Sequence, residues 1–300
     1  MKWQVDKQHE QLLLRDYLSK VKGMSRRTLN AVKYDGGEIL VNGIEVNVRY
    51  VLKEKDLVEV IFPPEKRSEL VTPKYIPLNI VYEDSDILVL NKAAYMATIP
   101  SFHHLKNTLA NGIIYHYNQQ GLPYTVHVVT RLDRDTSGLL LIAKHRYSHS
   151  ILMKDQKSGV VNRTYRALVS GHLQKKKGSI QLPIGRHPDS ILERKIDPNG
   201  QEAITNYEVI SEWEDYSLLS ISLETGRTHQ IRVHFTHLGH PLLGDKLYKG
   251  DRTQINRQAL HCESISFYHP IKKDRMHFSV PLPEDMEPLV ARPKNFQNKG

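Results

Sequence analysis

Short apolar stretches dominate the pattern of hydrophobic and polar positions after residue 75. LLLIAKH, RTYRALVSG, TNYEVISEW and YSLLSISLE are rich in Leu, Ile, Val and Tyr, and each predicts a β-strand. IVYEDSDILVLNK predicts two further strands around an Asp-Ser-Asp turn, whereas HHLKNTLANGIIYHY and the stretch before Gly239 predict helices. Because strands outnumber helices and few alternate with them, we expect an α+β domain whose mostly antiparallel mixed sheet is flanked by helices and loops.

The first 62 residues follow a different pattern. Residues 12–18 have helical spacing, and Ser25 is placed to cap a second helix that two glycines could end. EILVNGIEV then sets two short apolar strands around Asn42 and Gly43, a strong signal for a tight hairpin. This pattern predicts a compact α+β module of helix, helix and hairpin.

A change of composition separates the two patterns. PPEKRSELVTPKY, residues 63–75, combines prolines with charges and lacks periodicity, as linkers do. We therefore predict a small module over residues 1–62 and a large domain over residues 76–300, each with an independent core.

Composition and charge narrow the classes of partner. The chain has 42 Lys and Arg against 33 Asp and Glu, a formal net charge of +9, which favours a polyanionic partner such as nucleic acid. A single cysteine, Cys262, excludes an intramolecular disulfide and is typical of a reducing compartment. The sequence shows neither an apolar signal core nor a run of roughly 20 apolar residues. We expect a cytoplasmic monomer that does not contact a membrane.

The segment TRLDRDTSGLLLIAKH places charges directly before the most apolar strand. An ionised carboxylate is costly to bury unless it is paired or hydrogen-bonded. We therefore expect Arg131, Asp133, Arg134 and Asp135 to lie where the strand enters from a cleft. Three chemistries could use such a segment.

The first is an aspartate nucleophile with a magnesium ion. LDRDTSG resembles the D-x-D-x-T motif of haloacid-dehalogenase-type phosphohydrolases, with Asp245 and Asp251 as later metal ligands. That motif follows an uninterrupted apolar strand, whereas Arg131 interrupts the strand here and the apolar run comes after the acids. The pattern disfavours this hypothesis.

The second is a metal site built from His229, His234, His237 and His240. His234 and His237 are neighbours on the predicted helix, but His240 lies beyond Gly239, and no glutamate accompanies the histidines as a base. Ordinary hydrogen bonds within the fold explain these histidines better, and we predict no metal.

The third is a carboxylate held by an arginine in an RNA-binding cleft. Asp133 would be the chemical group, and an arginine of GRTHQIRVH, foremost Arg232, would keep it ionised and oriented. Tyr165 would offer a ring on which a flat base stacks. Each element alone has a simpler structural explanation, but together with a basic chain they form a coherent site.

The N-terminal module also carries a row of positive charges. No acidic residue interrupts this row before Asp35, and the row consists of Lys20, Lys22, Arg26, Arg27 and Lys33. Such a row of positive side chains could follow a phosphate backbone. A solvated helix face would explain the charges equally well. Residues 15–60 resemble the S-four-type RNA-binding module, and this resemblance implies that Arg26, Arg27 and Lys33 contact RNA.

Over nearly its whole length the chain resembles the RluA-type pseudouridine synthase family. HVVTRLDRDTSGLLLIAKH is similar to the catalytic signature and implies Asp133 as the catalytic aspartate. RTYRALVSGHL and ETGRTHQIRVHFTHLGHPLLGDKLYKG imply catalytic roles for Tyr165 and Arg232, with Ile231 as the apolar neighbour of that arginine. IVYEDSDILVLNKAAYMATIPS resembles the first motif. The substrate-binding residues implied by these motifs are Ile231, Arg131, Arg134, Lys92, Arg227 and His229.

The resemblance implies isomerisation of uridine in RNA to its C-glycoside without a cofactor. Asp133 could attack the sugar, attack the base, or assist proton removal from the sugar. Large-subunit ribosomal RNA is the favoured target, with transfer RNA as the alternative. A ribosome-assembly factor that has lost the reaction is the rival hypothesis.

Three positions depart from the usual family motifs. Thr130 replaces a histidine, Ala93 replaces a proline, and Arg163 replaces a lysine. None of these changes removes a catalytic group, so we expect them to affect loop geometry and substrate choice.

Overall fold

The computed structural model describes residues 1–100 and 106–291 of the chain. Its first part contains a four-stranded antiparallel sheet with short helices. In chain order the elements are β1 (Lys2–Gln4), a 3-10 helix (Lys7–His9), α1 (Leu14–Asp16), a π-helical turn (Tyr17–Val21), α2 (Arg26–Tyr34), β2 (Glu38–Val41), β3 (Ile44–Glu45) and β4 (Leu57–Ile61). The strands lie in the order β1-β4-β2-β3.

Local sequence signals account for this part of the fold. The Ser25 hydroxyl accepts a hydrogen bond from the Thr28 backbone N–H at 3.1 Å, which caps α2 as predicted. Asn42 and Gly43 have φ angles of 54° and 80°, the left-handed values that a tight two-residue hairpin requires. The second predicted helix and the hairpin are confirmed, the helical spacing of residues 12–18 becomes α1 and the π-helical turn after it, and β1 and β4 were not predicted.

A second, larger sheet occupies the rest of the chain. The elements in chain order are β5 (Ile80–Glu83), β6 (Ile87–Lys92), α3 (Leu109–Gln119), β7 (His127–Val128), β8 (Ser137–Ala143), α4 (Arg146–Lys157), β9 (Asn162–Ser170), β10 (Lys177–Gln181), β11 (Ile184–Arg186), β12 (Arg194–Ile196), β13 (Ile204–Glu212), β14 (Tyr216–Leu223), α5 (Gln230–His237), β15 (Leu260–Tyr268), β16 (Arg275–Ser279) and α6 (Glu287–Val290). The predicted helix HHLKNTLANGIIYHY is present from Leu109 onward, and its residues 103–105 lie outside the described residues.

The larger sheet has ten strands in the order β10-β13-β14-β9-β15-β8-β6-β5, with β16 beside β15 and β7 beside β8. The pairing of β8 with β15 is parallel, and the other pairings are antiparallel. The prediction of an α+β fold with a mostly antiparallel mixed sheet is therefore confirmed. In the part of the chain that the structure describes, no helix is long and apolar enough to cross a membrane.

Strand β8 lies in the middle of the core, and all of its residues are buried. Its parallel pairing with β15 brings Gly138 opposite Cys262. Gly138 has a φ of +110°, and a Cβ atom there would lie 2.3 Å from the Cys262 carbonyl oxygen. Only glycine allows this approach, which fixes the start of β8 directly after the charged segment.

Residues 63–75 contain no helix or strand, but several of their side chains are bound to the larger unit. Arg67 donates hydrogen bonds to the Tyr124 and Leu122 carbonyls at 2.8 and 2.7 Å. Glu65 contacts His127 Nε2 at 2.5 Å and accepts the Arg146 backbone N–H at 2.8 Å. This segment is therefore fastened to the larger unit.

The two cores are not independent, in contrast to the expectation from the sequence. Tyr147 and Ile151 of α4 are buried in the core of the smaller unit. The Tyr147 ring lies 5.7 Å from both the Trp3 and the Phe62 rings, and its hydroxyl donates to the Lys22 carbonyl at 2.6 Å. One helix of the larger unit thus completes the smaller core.

Tyr147→Ala should therefore destabilise the smaller unit. We expect a loss of about 3–5 kcal/mol in the free energy of unfolding, as for other buried aromatic rings truncated to alanine. Tyr34→Ala removes the same ring from an exposed site and should change stability by less than about 0.5 kcal/mol. Denaturant unfolding followed by circular dichroism measures both. Equal losses would contradict the docking of α4.

Candidate active site

The charged segment before β8 forms a loop whose backbone is held at several points. The Thr136 N–H donates to the Asp133 carbonyl at 3.1 Å, and the Thr98 hydroxyl donates to the Leu132 carbonyl at 3.2 Å. Thr130, which departs from the family motif, accepts the Leu141 N–H through its hydroxyl at 2.9 Å. These bonds fix the loop while leaving the Asp133 side chain 27% exposed.

Lys92 anchors the same loop from inside the protein. Its ammonium group is buried and donates to the carbonyls of Ala93, Met96 and Arg134 at 2.8, 3.0 and 3.0 Å. Burial lowers the pKa of Lys92 to about 7, against the opposing charge of Asp133. Three carbonyl acceptors match the three N–H donors of an ammonium ion. Lys92 therefore positions the loop and does not present its amine to a cavity.

A second buried cation supports the loop from the other side. The Arg257 guanidinium pairs with Asp285 through two hydrogen bonds of 2.6 and 2.7 Å. Its remaining terminal nitrogen donates to the Asp135 carbonyl at 3.1 Å. Lys92 and Arg257 thus hold consecutive carbonyls of the loop that carries Asp133.

Arg232 of α5 connects two carboxylates. Its Nε and Nη2 atoms donate to Asp245 at 2.7 and 2.8 Å, and its Nη1 donates to Asp133 Oδ2 at 3.0 Å. Burial would lower the pKa of Arg232, but the two carboxylates raise it, so the guanidinium remains charged. Asp245, which is 1% exposed, fixes the orientation of Arg232, and Asp133 is the partner that stays accessible.

His229 and Tyr248 complete the surroundings of Arg232. His229 caps α5 in a left-handed conformation, with a φ of 57°. Its Nδ1 lies 3.0 Å from the Tyr248 hydroxyl, and its Nε2 lies 3.9 Å from Asp133 Oδ2. The Arg232 guanidinium stacks 4.9 Å from the centre of the Tyr248 ring. Burial lowers the pKa of His229, so its ring is neutral at neutral pH.

Tyr165 lies on β9 with its side chain buried. Burial raises its pKa, although the Arg163 guanidinium opposes that shift. Arg163 Nη1 donates to the Tyr165 hydroxyl at 3.0 Å. The hydroxyl is therefore a protonated phenol that is held in place by an arginine, the residue found here instead of lysine.

One open cavity of about 680 Å³ collects these groups. Asp133, Tyr165, Ile231 and Arg232 all line it. Further apolar walls come from Val129, Leu132, Met153, Leu223 and Leu260. The cavity combines one accessible carboxylate with a ring and aliphatic side chains, which is an environment that fits a planar base.

The other arginines expected to bind substrate differ in how many contacts they make within the protein. Arg131 is exposed at the cavity, and Arg134 lines the same cavity while pairing with Asp135 at 2.7 Å. Arg227 also lines it, and its Nε donates to the Glu202 carbonyl at 2.8 Å. Arg131 is therefore the least constrained of these cations.

The basic residues of the N-terminal module do not form one cluster. Arg26 and Arg27 line a common surface groove, whereas Lys33 lines a different depression and lies over the Tyr34 ring at 4.6 Å. The structure thus brings together two of the three residues that the resemblance implied.

Of the four histidines considered as metal ligands, His229, His234 and His240 have separate hydrogen-bond partners. His234 contacts the Thr205 hydroxyl and the Leu182 carbonyl, both at 2.9 Å. His240 contacts the Ser170 carbonyl at 2.8 Å. The interpretation of these side chains as ordinary parts of the fold accounts for their geometry.

Among the described residues, one group has the spacing of metal ligands: Asp84, Asp86 and His269. Burial would raise the pKa of Asp84, but hydrogen bonds from the Asp86 and Ile87 N–H groups lower it to about 2. His269 Nε2 contacts Asp84 at 2.9 Å, and His145 Nε2 contacts Asp86 at 2.9 Å. These acids serve as hydrogen-bond acceptors that join the turns around them.

Sequence reasoning missed the supporting residues of the site. From the sequence, Asp245 suggests only a metal ligand, and nothing indicates the positioning roles of Arg257 and Tyr248. Asp245 lies in the same motif as Arg232, and this proximity in sequence is the signal that could have identified it as the counter-ion of that arginine. Arg257 stands far from the loop in sequence and gave no such signal.

Comparison with known proteins defines the class as an RNA-modifying isomerase. Residues 86–237 match the family model described as RNA pseudouridylate synthase. The chain belongs to this family, in its RluA-type branch. Because the chain belongs to this family, the hypothesis of a haloacid-dehalogenase-type phosphohydrolase is abandoned.

Relatives and solved structures agree with this assignment. The chain is 52% identical to the uncharacterized RNA pseudouridine synthase YjbO of Bacillus subtilis, over 89% of this chain and 95% of that one. It is 37% identical to ribosomal large subunit pseudouridine synthase D of Blochmanniella floridana, over 77% of each chain. The human RNA pseudouridylate synthase domain containing 1 has the same fold, with a TM-score of 0.58 at 24% identity, over 77% of this chain and 99% of that one.

Asp245→Asn should be strongly destabilising, because it leaves the buried Arg232 guanidinium without its principal counter-ion. We expect a loss of about 3–5 kcal/mol in the free energy of unfolding. Asp133→Asn should cost clearly less, since Asp133 is partly exposed and Arg232 keeps Asp245. Denaturant titration of the two variants measures the difference. Similar losses would contradict the division of roles between the two acids.

Proposed function

We propose that this protein isomerises specific uridines in large-subunit ribosomal RNA to pseudouridine, with Asp133 as the reacting carboxylate and without a cofactor. The contact of 3.0 Å between Arg232 Nη1 and Asp133 Oδ2 carries this proposal. It holds an accessible carboxylate beside a fixed positive charge in a cavity with apolar walls.

The reaction itself requires a group of this kind. Uracil leaves the sugar through its nitrogen, turns over and reattaches through C5, which then loses its proton. No atom is gained and no electron is transferred, so the conversion needs no redox or group-donating cofactor. Whether the acid attacks the sugar, attacks the base, or removes a sugar proton, it acts as a carboxylate, and Arg232 stabilises that form.

The remaining catalytic proposals concern the detached base. Tyr165 and Ile231 line the cavity with Asp133, and they would hold the uracil while it turns. The Tyr165 hydroxyl is a neutral phenol that accepts a hydrogen bond from Arg163, and it would assist the final loss of the proton from C5. Arg131 would contact the phosphates of the flipped nucleotide from the rim.

Two features support RNA of the ribosome as the substrate. Several relatives are named ribosomal large subunit pseudouridine synthase D, at 36–38% identity. The net charge of +9 and the resemblance of residues 15–60 to an S-four-type module favour a large structured RNA. In this proposal residues 1–62 position RNA through Arg26, Arg27 and Lys33, residues 63–75 link the units, and residues 76–300 form the catalytic domain.

An assembly factor without catalysis is the rival function. Such a protein would have no need to keep Asp133, Tyr165 and Arg232 together. All three residues are present and line one cavity, which favours the enzyme.

Asp133→Asn should abolish pseudouridine formation but leave RNA binding intact, because it removes a negative charge and no phosphate contact. Asp135→Asn is the matched control: its carboxylate pairs with Arg134, and we expect activity to be largely retained. The assay follows tritium released from RNA labelled at uridine C5. Full activity of Asp133→Asn, after deamidation is excluded by mass spectrometry, would disprove the assignment.

The target follows from mapping pseudouridines in total RNA of cells with and without the gene. We expect the loss of one or a few sites in large-subunit ribosomal RNA. If pseudouridines are lost only from transfer RNA, the proposed substrate is wrong, whereas the proposed isomerisation still holds.

Removal of metal ions should leave the activity unchanged, since the proposed chemistry uses side chains alone. The protein is treated with a chelator, desalted and assayed on RNA folded in monovalent salt. A lost activity that Mg²⁺ or Zn²⁺ restores would favour a metal-dependent mechanism.

A further inference from the structure

Three arginines from the two units of the chain line one open groove. Arg26 and Arg27 lie in the first turn of α2, and Arg146 is the first residue of α4. The groove has a volume of about 580 Å³, and Asn30 and Tyr34 form part of its wall. Residues far apart in sequence therefore surround one concavity with positive charge.

This charge is only partly neutralised within the protein. In residues 1–100 and 106–291, none of the three guanidinium groups forms an ion pair or a side-chain hydrogen bond. Two carboxylates lie nearby: exposed Asp35 lines the groove, and Glu65, whose pKa burial would raise, contacts His127 and also feels the charge of Arg146, which helps to lower the pKa of that carboxyl. The groove keeps a net positive charge and attracts a polyanion.

Packing between the units fixes the shape of the groove. The Arg146 backbone N–H is bound to Glu65, and the next residue, Tyr147, lies in the core of the smaller unit with its hydroxyl on the Lys22 carbonyl. Because the Arg146 backbone is bound to the linking segment and the adjacent Tyr147 side chain is buried in the smaller core, the position of Arg146 relative to α2 does not depend on a loose tether.

The helix that carries Arg146 also reaches the candidate active site. Met153 and Gln156, later in α4, line the cavity that contains Asp133. At about 1.5 Å per residue, the groove and the cavity are separated by roughly 10–15 Å along the helix axis. A nucleic acid strand bound in the groove would therefore lie less than the length of α4 away from the cavity.

We propose that this groove binds the phosphate backbone of the substrate RNA as one surface shared by both units, with Arg146 as the contribution of the larger unit. The proposal rests on the proposed function, because it takes RNA as the substrate. Arginine forks bind phosphate oxygens directly, and the exposed Tyr34 ring offers a base a stacking surface. Phosphate contacts set register and carry no sequence information, so the groove positions RNA and does not select the uridine.

Arg146→Gln in the full-length protein tests this surface. RNA affinity is measured over a range of salt concentrations, with in vitro transcribed large-subunit ribosomal RNA and with bulk transfer RNA. Loss of one phosphate contact should reduce the slope of log affinity against log salt by about one for both RNAs. The single-turnover rate at saturating ribosomal RNA should not change. Arg146→Lys keeps the charge and should keep the slope.

Arg252→Gln is the matched control, because it removes one positive charge from an exposed loop outside the groove. Its slope should equal that of the unaltered protein, and thermal unfolding should show that all variants are folded. An unchanged slope for Arg146→Gln, or an equal decrease for Arg252→Gln, would overturn the proposal. If even the unaltered protein leaves the ribosomal transcript unmodified, the proposed substrate fails, while the slopes still decide the role of the groove.

Discussion

The ion pair between Arg232 and Asp245 is the interaction on which the candidate site depends. A buried guanidinium is tolerated only when a carboxylate compensates its lost hydration, and two short hydrogen bonds from Asp245 provide this. They also fix the plane of the guanidinium fork, so that its remaining nitrogen points at Asp133. A lysine in this position could not serve both acids with the same geometry. The accessible acid thereby receives a charged partner whose position does not depend on substrate.

Asp133, the other partner of Arg232, must be held equally firmly, because it belongs to a loop. Two buried cations hold adjacent carbonyls of that loop, Lys92 at residue 134 and Arg257 at residue 135. The left-handed Gly138 then lets the chain pass against Cys262 into the parallel pairing of β8 with β15. Rigid loop ends leave the Asp133 carboxylate little freedom, which reduces the entropy that must be lost when a reacting geometry forms.

The sequence predicted the features that local patterns determine. The apolar stretches became strands, Ser25 capped its helix, and the hairpin formed at Asn42 and Gly43, because each signal acts within a few residues. The resemblance to a family supplied the residues that the structure brings into one cavity. What remained unpredicted depends on contacts between distant segments. Arg257 reaches the Asp133 loop across 122 residues, and no periodicity encodes such a bond.

The same limit applies to the basic composition of the chain. A net charge of +9 does not distinguish arginines that stabilise the fold from those that face solvent. In the structure, the guanidinium groups of Arg67, Arg232 and Arg257 donate their hydrogen bonds to carboxylates, amides and carbonyls of the protein itself. Arg131 and Arg146 instead line openings of the surface, the cavity and the groove respectively. Under the proposed function, a guanidinium already paired inside the protein would release few counterions from RNA, so the second class would contribute more to affinity, and its location follows from tertiary packing.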